Sequence, residues 1–182
     1  MKYKNILTIT TRQEFREWLE KYSSSESECY VSVKRGRPVD DKHFWYLDAV
    51  EEALCFGWID STIRTIDGKK MQRFSPRSKK SNWTELNKER VRRLEKLGLM
   101  TDSGRAVFPL IGKRSFKIDK DVEISLKKAR VWSKFKSFHP LYQRIRASNL
   151  ASYKQHYPTF YERMLKNVIE TLLSGYKSKR VN

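Results

Sequence analysis

Acidic residues are scarce in this chain. Its 182 residues hold 21 Asp and Glu against 39 Lys and Arg, a net charge of +18. That balance favours an anionic partner, although a lysine-rich surface can also serve solubility alone. Cysteine is nearly absent. Cys29 and Cys55 have no paired spacing, which removes disulfide frameworks and thiolate metal motifs and leaves two small buried hydrophobes. The three histidines, His43, His139 and His156, are scattered and show no convergent ligand pattern, so no metal site or cofactor is expected. Gly98, Gly104 and Gly112 form no phosphate-cradling loop, and Ser61 and Ser75 lack a nucleophile elbow. No apolar run approaches the roughly 18 residues of a membrane span. The N-terminal apolar run is too short for a signal peptide. A cytoplasmic location is the expectation.

What is present argues for a folded body. Mean hydropathy is low, at -0.74, yet aromatic residues make up 13% of the chain, more apolar bulk than disordered chains carry. Charge is unevenly spread: residues 1–63 have a net charge of -2, residues 64–93 +8 and residues 127–182 +11.

Thr11 followed by Glu14 predicts a capping box, and Phe15, Trp18, Leu19 and Tyr22 recur at helical spacing behind it. Cys29–Lys34 alternates as a strand. Leu47–Phe56 reads as a helix closed by Gly57. Its Glu51 and Glu52 are expected on a solvated face, with Glu52 able to turn toward arginines. Asp67-Gly68 is a strong two-residue hairpin signal, pairing Trp58–Ile63 with a strand that ends at Pro76. The simple register sets Arg64 opposite Met71, Thr62 opposite Arg73 and Asp60 opposite Ser75. It therefore puts Asp60 diagonal to Arg73 as an ion pair or a pocket wall, with Ile59, Ile63 and Phe74 on the core side. Ser81 or Asn82 is expected to cap the next helix, Thr101 another, and His139-Pro140 to open a third. The pattern stays helical to the end, where Phe160, Tyr161, Met164, Leu165, Val168, Ile169, Leu172 and Leu173 make a broad apolar stripe. The expected fold is α+β. A small antiparallel sheet with a hairpin is packed by helices over residues 1–118, and a helical extension spans 119–182.

The main functional candidate is a basic hairpin face: Arg64, Arg73, Arg77, Lys79 and Lys80, with Trp58 and Trp83 beside them. Guanidinium groups grip phosphate or carboxylate in bidentate fashion, and aromatic faces stack on bases. The bland reading makes both tryptophans core anchors and the basic loop a solvated one. No standard nucleic-acid module is matched.

The motifs Gly57-Trp58-Ile59-Asp60-Ser61, Gln72-Arg73-Phe74-Ser75-Pro76-Arg77, Asn87-Lys88-Glu89-Arg90 and Gly98-Leu99-Met100-Thr101 resemble the YdeI/OmpD-associated, or bacteriocin-protection, family over residues 12–108. The resemblance implies a bacterial stress-response protein linked to protection from bacteriocins or cationic antimicrobial peptides. It brings no settled activity, so no catalytic residue is carried over. A net charge of +18 repels cationic peptides, which points to indirect protection from inside the cell. Three roles stay open: an anion- or nucleic-acid-binding module, an enzyme acting on a phosphorylated or carboxylated small molecule with Asp60 and Arg73 in its pocket, and an adaptor meeting a protein partner through the C-terminal helices.

Overall fold

The computed structural model describes residues 3–78, 81–108 and 116–174, and the chain divides into two units. Unit 1 comprises Met1–Asn82 and Asn87–Pro109; unit 2 comprises Trp83–Leu86 and Leu110–Asn182. The fold is α+β.

In unit 1 the elements are β1 (Ile6–Leu7), α1 (Arg12–Tyr22), β2 (Cys29–Val31), α2 (Tyr46–Cys55), β3 (Trp58–Ile66), β4 (Lys69–Pro76), the greater part of α3 (Glu85–Lys96) and α4 (Asp102–Val107). The sheet order is β1-β2-β4-β3. Pairing is antiparallel except at β1, which joins β2 in parallel. That edge strand has two residues and no alternation to betray it. Asp67 and Gly68 both adopt positive φ, 47° and 75°. This is the backbone a two-residue hairpin needs to match strand twist.

Helix α1 carries the expected capping box: Thr11 accepts from the Glu14 amide, and the Glu14 carboxylate accepts from the Thr11 amide. The Thr10 amide first, and then the Thr11 amide, donate to the Glu14 carboxylate and hold it below its ordinary range. Phe15 and Leu19 from α1, Val31 and Phe74 from the sheet, and Ala49, Val50, Ala53 and Leu54 from α2 are buried in the core. Helix α4 lies close on α2, and Gly104 permits it, because a Cβ there would stand 2.2 Å from the Cys55 carbonyl oxygen. Thr101, the N-cap of α4, donates its hydroxyl to that same oxygen at 2.6 Å. Helix α3 starts at Glu85, later than a cap at Ser81 or Asn82 would place it.

Unit 2 is helical: α5 (Lys120–Lys128), α6 (Trp132–Lys136), α7 (Pro140–His156) and α8 (Pro158–Leu173). His139 accepts from the Leu141 amide at the entry to α7, with Pro140 in the first turn. The α8 stripe is core, with Tyr161, Leu165, Val168 and Leu172 packed against Val122, Leu126, Phe135 and Leu150. Phe160 and Leu173 remain exposed. Among the described residues, no helix is long and apolar enough to cross a membrane.

Candidate functional site

The hairpin register holds near the turn and then slips. Arg64 faces Met71 and Ile66 faces Lys69, but a shift between Asp60 and Ile63 sets Asp60 opposite Phe74. Ser61 and Thr62 together span the place opposite Arg73, which is a β-bulge. One extra residue transfers everything beyond it to the other face. Asp60 therefore shares the helix-covered face with Phe74, and Arg73 lies on the opposite one. The expected Asp60–Arg73 pair is not formed. Arg73 donates Nε to Glu28 at 2.7 Å and Nη1 to the Ser61 hydroxyl at 3.1 Å. The Arg73 hydrogen bond is the main reason the Glu28 carboxyl sits below its usual range. The shift also moves Ile59, now opposite Ser75, off the Phe74 face, whereas Ile63 keeps its expected partner Gln72 and is nevertheless 49% exposed, not core.

The bulge is held by Gln72, which is 2% exposed. Its Nε2 faces three carbonyl oxygens, those of Ser61 at 3.2 Å, Thr62 at 3.4 Å and Arg73 at 3.2 Å. These are acceptors that regular pairing would have satisfied. Gln72 Oε1 accepts from Arg35, whose guanidinium also stacks 4.0 Å above the Tyr46 ring.

Asp60 accepts from the Tyr46 hydroxyl at 2.5 Å. Burial first, and then this contact with a carboxylate, push the Tyr46 phenol well above its ordinary range, so it remains a donor. Arg77 and Arg90 lie within electrostatic reach of Asp60. Burial lowers both guanidinium pKa values; Asp60 works against the drop at Arg77, and Glu51, then Tyr46 and Asp60, work against it at Arg90. Arg77 is 7% exposed and donates to the Asn82 carbonyl. Arg35, Arg77 and Arg90 thus gather around one carboxylate and one phenol. Sequence patterning names Asp60 and Arg77 but misses Tyr46, Arg35, Gln72 and Arg90, because a bulge leaves no periodic signal.

The opposite end of α2 corrects a second expectation. Glu51 and Glu52 are 5% and 2% exposed, not solvated. Glu52 accepts from Arg12 at 2.6 Å and Arg16 at 2.9 Å, and Glu51 from Arg12 at 3.3 Å and from Arg93. Burial disfavours the Arg12 charge, but Glu52, Glu51 and Asp48 outweigh it and raise its pKa. Between α1 and α3 lies a cleft of about 350 Å³, lined by Arg12, Gln13, Arg16, Glu52, Arg93, Leu94, Leu97 and Leu99.

The remaining candidates disperse. Trp58 is 1% exposed, donates its indole N–H to the Ser23 carbonyl at 3.1 Å and meets Trp18 edge-on. It is a core anchor and no stacking platform. Arg64 is exposed on the hairpin, while Trp83 is half-buried in unit 2. Lys79 and Lys80 lie outside the described residues. The surface of basic side chains and tryptophans expected on the hairpin is therefore not assembled by its described members. Among the described residues, no group of three or more His, Cys, Asp or Glu is placed to hold a metal ion.

Residues 7–107 match a family model described as a domain of unknown function, DUF8412. The chain belongs to this family. The match spans the sheet of unit 1, the Tyr46–Asp60 cluster and the α1–α3 cleft, and it ends before the helices of unit 2. No curated protein and no solved structure matches the chain.

Proposed function

We propose that this chain is a bacterial, cytosolic anion-binding protein acting in stress or antimicrobial-peptide protection. That biological setting comes from its resemblance to YdeI/OmpD-associated proteins. The binding site is the cluster of Arg35, Arg77 and Arg90 around Tyr46 and Asp60. The supporting observation is that Arg77 and Arg90 lie within electrostatic reach of the Asp60 carboxylate while Arg35 stacks on the Tyr46 ring, whose hydroxyl donates to that carboxylate, beside a braced bulge. Burial depresses the pKa of Arg77 and Arg90, so their charge is held at a cost that an arriving anion would relieve. Arg35 is exposed and is the group an entering phosphate or carboxylate meets first. Titrating wild type, Arg35→Gln and Arg90→Gln with phosphate, pyrophosphate and malonate in a calorimeter tests the reading. Binding to wild type that weakens at least about tenfold in both variants supports it, since a charge-assisted contact is worth about that much. Equal affinity in all three proteins rejects it.

A second reading, nucleic-acid binding, draws on unit 2. No acidic residue occurs between Glu123 and Glu162. Within that stretch Lys127 and Lys136 flank the Trp132 ring at 5.6 and 5.8 Å, and Arg146 lies over Tyr142 at 5.3 Å. Cations interleaved with aromatic rings suit a single strand. Affinity for an oligonucleotide should fall steeply with salt and drop on Lys127→Glu/Lys136→Glu. Salt-insensitive binding rejects it.

A further inference from the structure

We propose that the cleft between α1 and α3 binds a small amphipathic carboxylate. The cleft is distinct from the cluster around Asp60, because none of Arg35, Tyr46, Asp60, Arg77 and Arg90 lines it, although Arg90 feels the charges of Glu51 and Arg93. Its volume of about 350 Å³ falls within the range of small-molecule sites. Its walls combine two chemistries. Leu94, Leu97 and Leu99 give an apolar side, and Leu97 is 57% exposed on an otherwise charged surface.

Arg12, Arg16 and Arg93 give the cationic side, and their hydrogen bonds show which donors remain. Arg16 is spent, with Nε on Glu20, Nη1 on Glu52 and Nη2 on the Leu99 carbonyl. Arg12 uses Nε on Glu52 and Nη1 on Asp48 and Glu51, leaving Nη2. Arg93 gives only Nη2 to Glu51, and its side chain is 54% exposed. The planar donor fork of Arg93 and the spare nitrogen of Arg12 suit a planar carboxylate. Glu20, Asp48, Glu51 and Glu52 already occupy Arg16 and most of Arg12, so the half-exposed Arg93 fork is the group that meets the ligand's single carboxylate. The leucines then cover a short alkyl chain that would otherwise face water.

Calorimetric titration of the full chain with octanoate, octanol and octylammonium tests the assignment, using wild type, Arg93→Gln, Leu97→Ser and Arg35→Gln. Leu97 is exposed and Arg93→Gln leaves Glu51 its second partner, Arg12; circular dichroism and urea unfolding check that both variants are folded. Octanoate should bind at least about tenfold more tightly than either octanol or octylammonium. Arg93→Gln and Leu97→Ser should each weaken it by about fivefold or more, and the same loss should appear when each is made in the Arg35→Gln background. Equal binding of octanoate and octanol, octanoate affinity insensitive to both cleft substitutions, or no binding up to about 10 mM would overturn the proposal. A loss confined to Arg35→Gln would overturn it too, by returning the carboxylate to the Asp60 cluster.

Discussion

Gln72→Leu isolates what places Asp60. The Gln72 amide has two N–H donors for the three carbonyls in its range, so it satisfies two of them, at about 1 kcal/mol net each. The bond from Arg35 to its Oε1 is charge-assisted, but Arg35 is exposed and water replaces much of it, leaving about 1 kcal/mol. Leucine returns about 1 kcal/mol by burying apolar surface in the same 2% exposed position. The expected net loss is about 2 kcal/mol. Urea unfolding followed by fluorescence measures the total. Hydrogen–deuterium exchange locates it, and protection should fall first at residues 60–63, where the register shifts, while the turn-proximal half of the hairpin stays protected. A loss below about 0.5 kcal/mol with unchanged exchange at those residues would refute the bracing role. So would a loss spread evenly along the hairpin.

Gly104→Ala should cost about 3 kcal/mol or prevent folding, because its Cβ has 2.2 Å to the Cys55 carbonyl; thermal melts of the purified variant check this. Trp58→Phe should cost about 2 kcal/mol through a lost indole hydrogen bond and a cavity, measured by urea unfolding. The Glu28 carboxyl is depressed in the folded state by Arg73, so its stabilising contribution is complete above the unfolded-state pKa and lost as pH falls through the folded one. Stability of wild type and Glu28→Gln should converge on acidification, and a gap that persists to low pH would contradict the ion pair. Cys55 is buried with its thiol pushed up to about 11, and Cys29 is raised further, by burial in both cases. A thiol reagent should therefore leave both unmodified in native protein at pH 8 and titrate both in urea.

Much of the fold is legible in the chain because local chemistry and tertiary packing agree. Thr11 with Glu14, Asp67-Gly68, Thr101 and His139-Pro140 each act within a few residues, and each appears where its chemistry calls for it. The α8 stripe is legible for the same reason, since its period is that of the helix that buries it. Strand β1 is not legible. Its two residues carry no period, and its pairing with β2 depends on a partner far along the chain.

The candidate site is harder to read because its members are defined by exceptions to pattern. A bulge is an inserted residue with no composition of its own, and Ser61 and Thr62 look like ordinary alternating strand positions. From the hairpin signal alone the strands pair straight through, and Asp60 falls on the wrong face. Helix α2 misleads in a related way. Acidic side chains in a helix usually mark its solvated side, yet Glu51 and Glu52 are buried because Arg12, Arg16 and Arg93 arrive from α1 and α3. A buried carboxylate is tolerated only when its partners come with it. Those partners lie about 36 to 42 positions away in sequence, beyond any local rule. Their convergence is also what makes them informative, since an ion pair meant only for stability could be replaced by packed apolar side chains at little loss. Unit 1 instead keeps guanidinium donors at the rim of a leucine-lined cleft, and it is on this arrangement that the proposed carboxylate site rests.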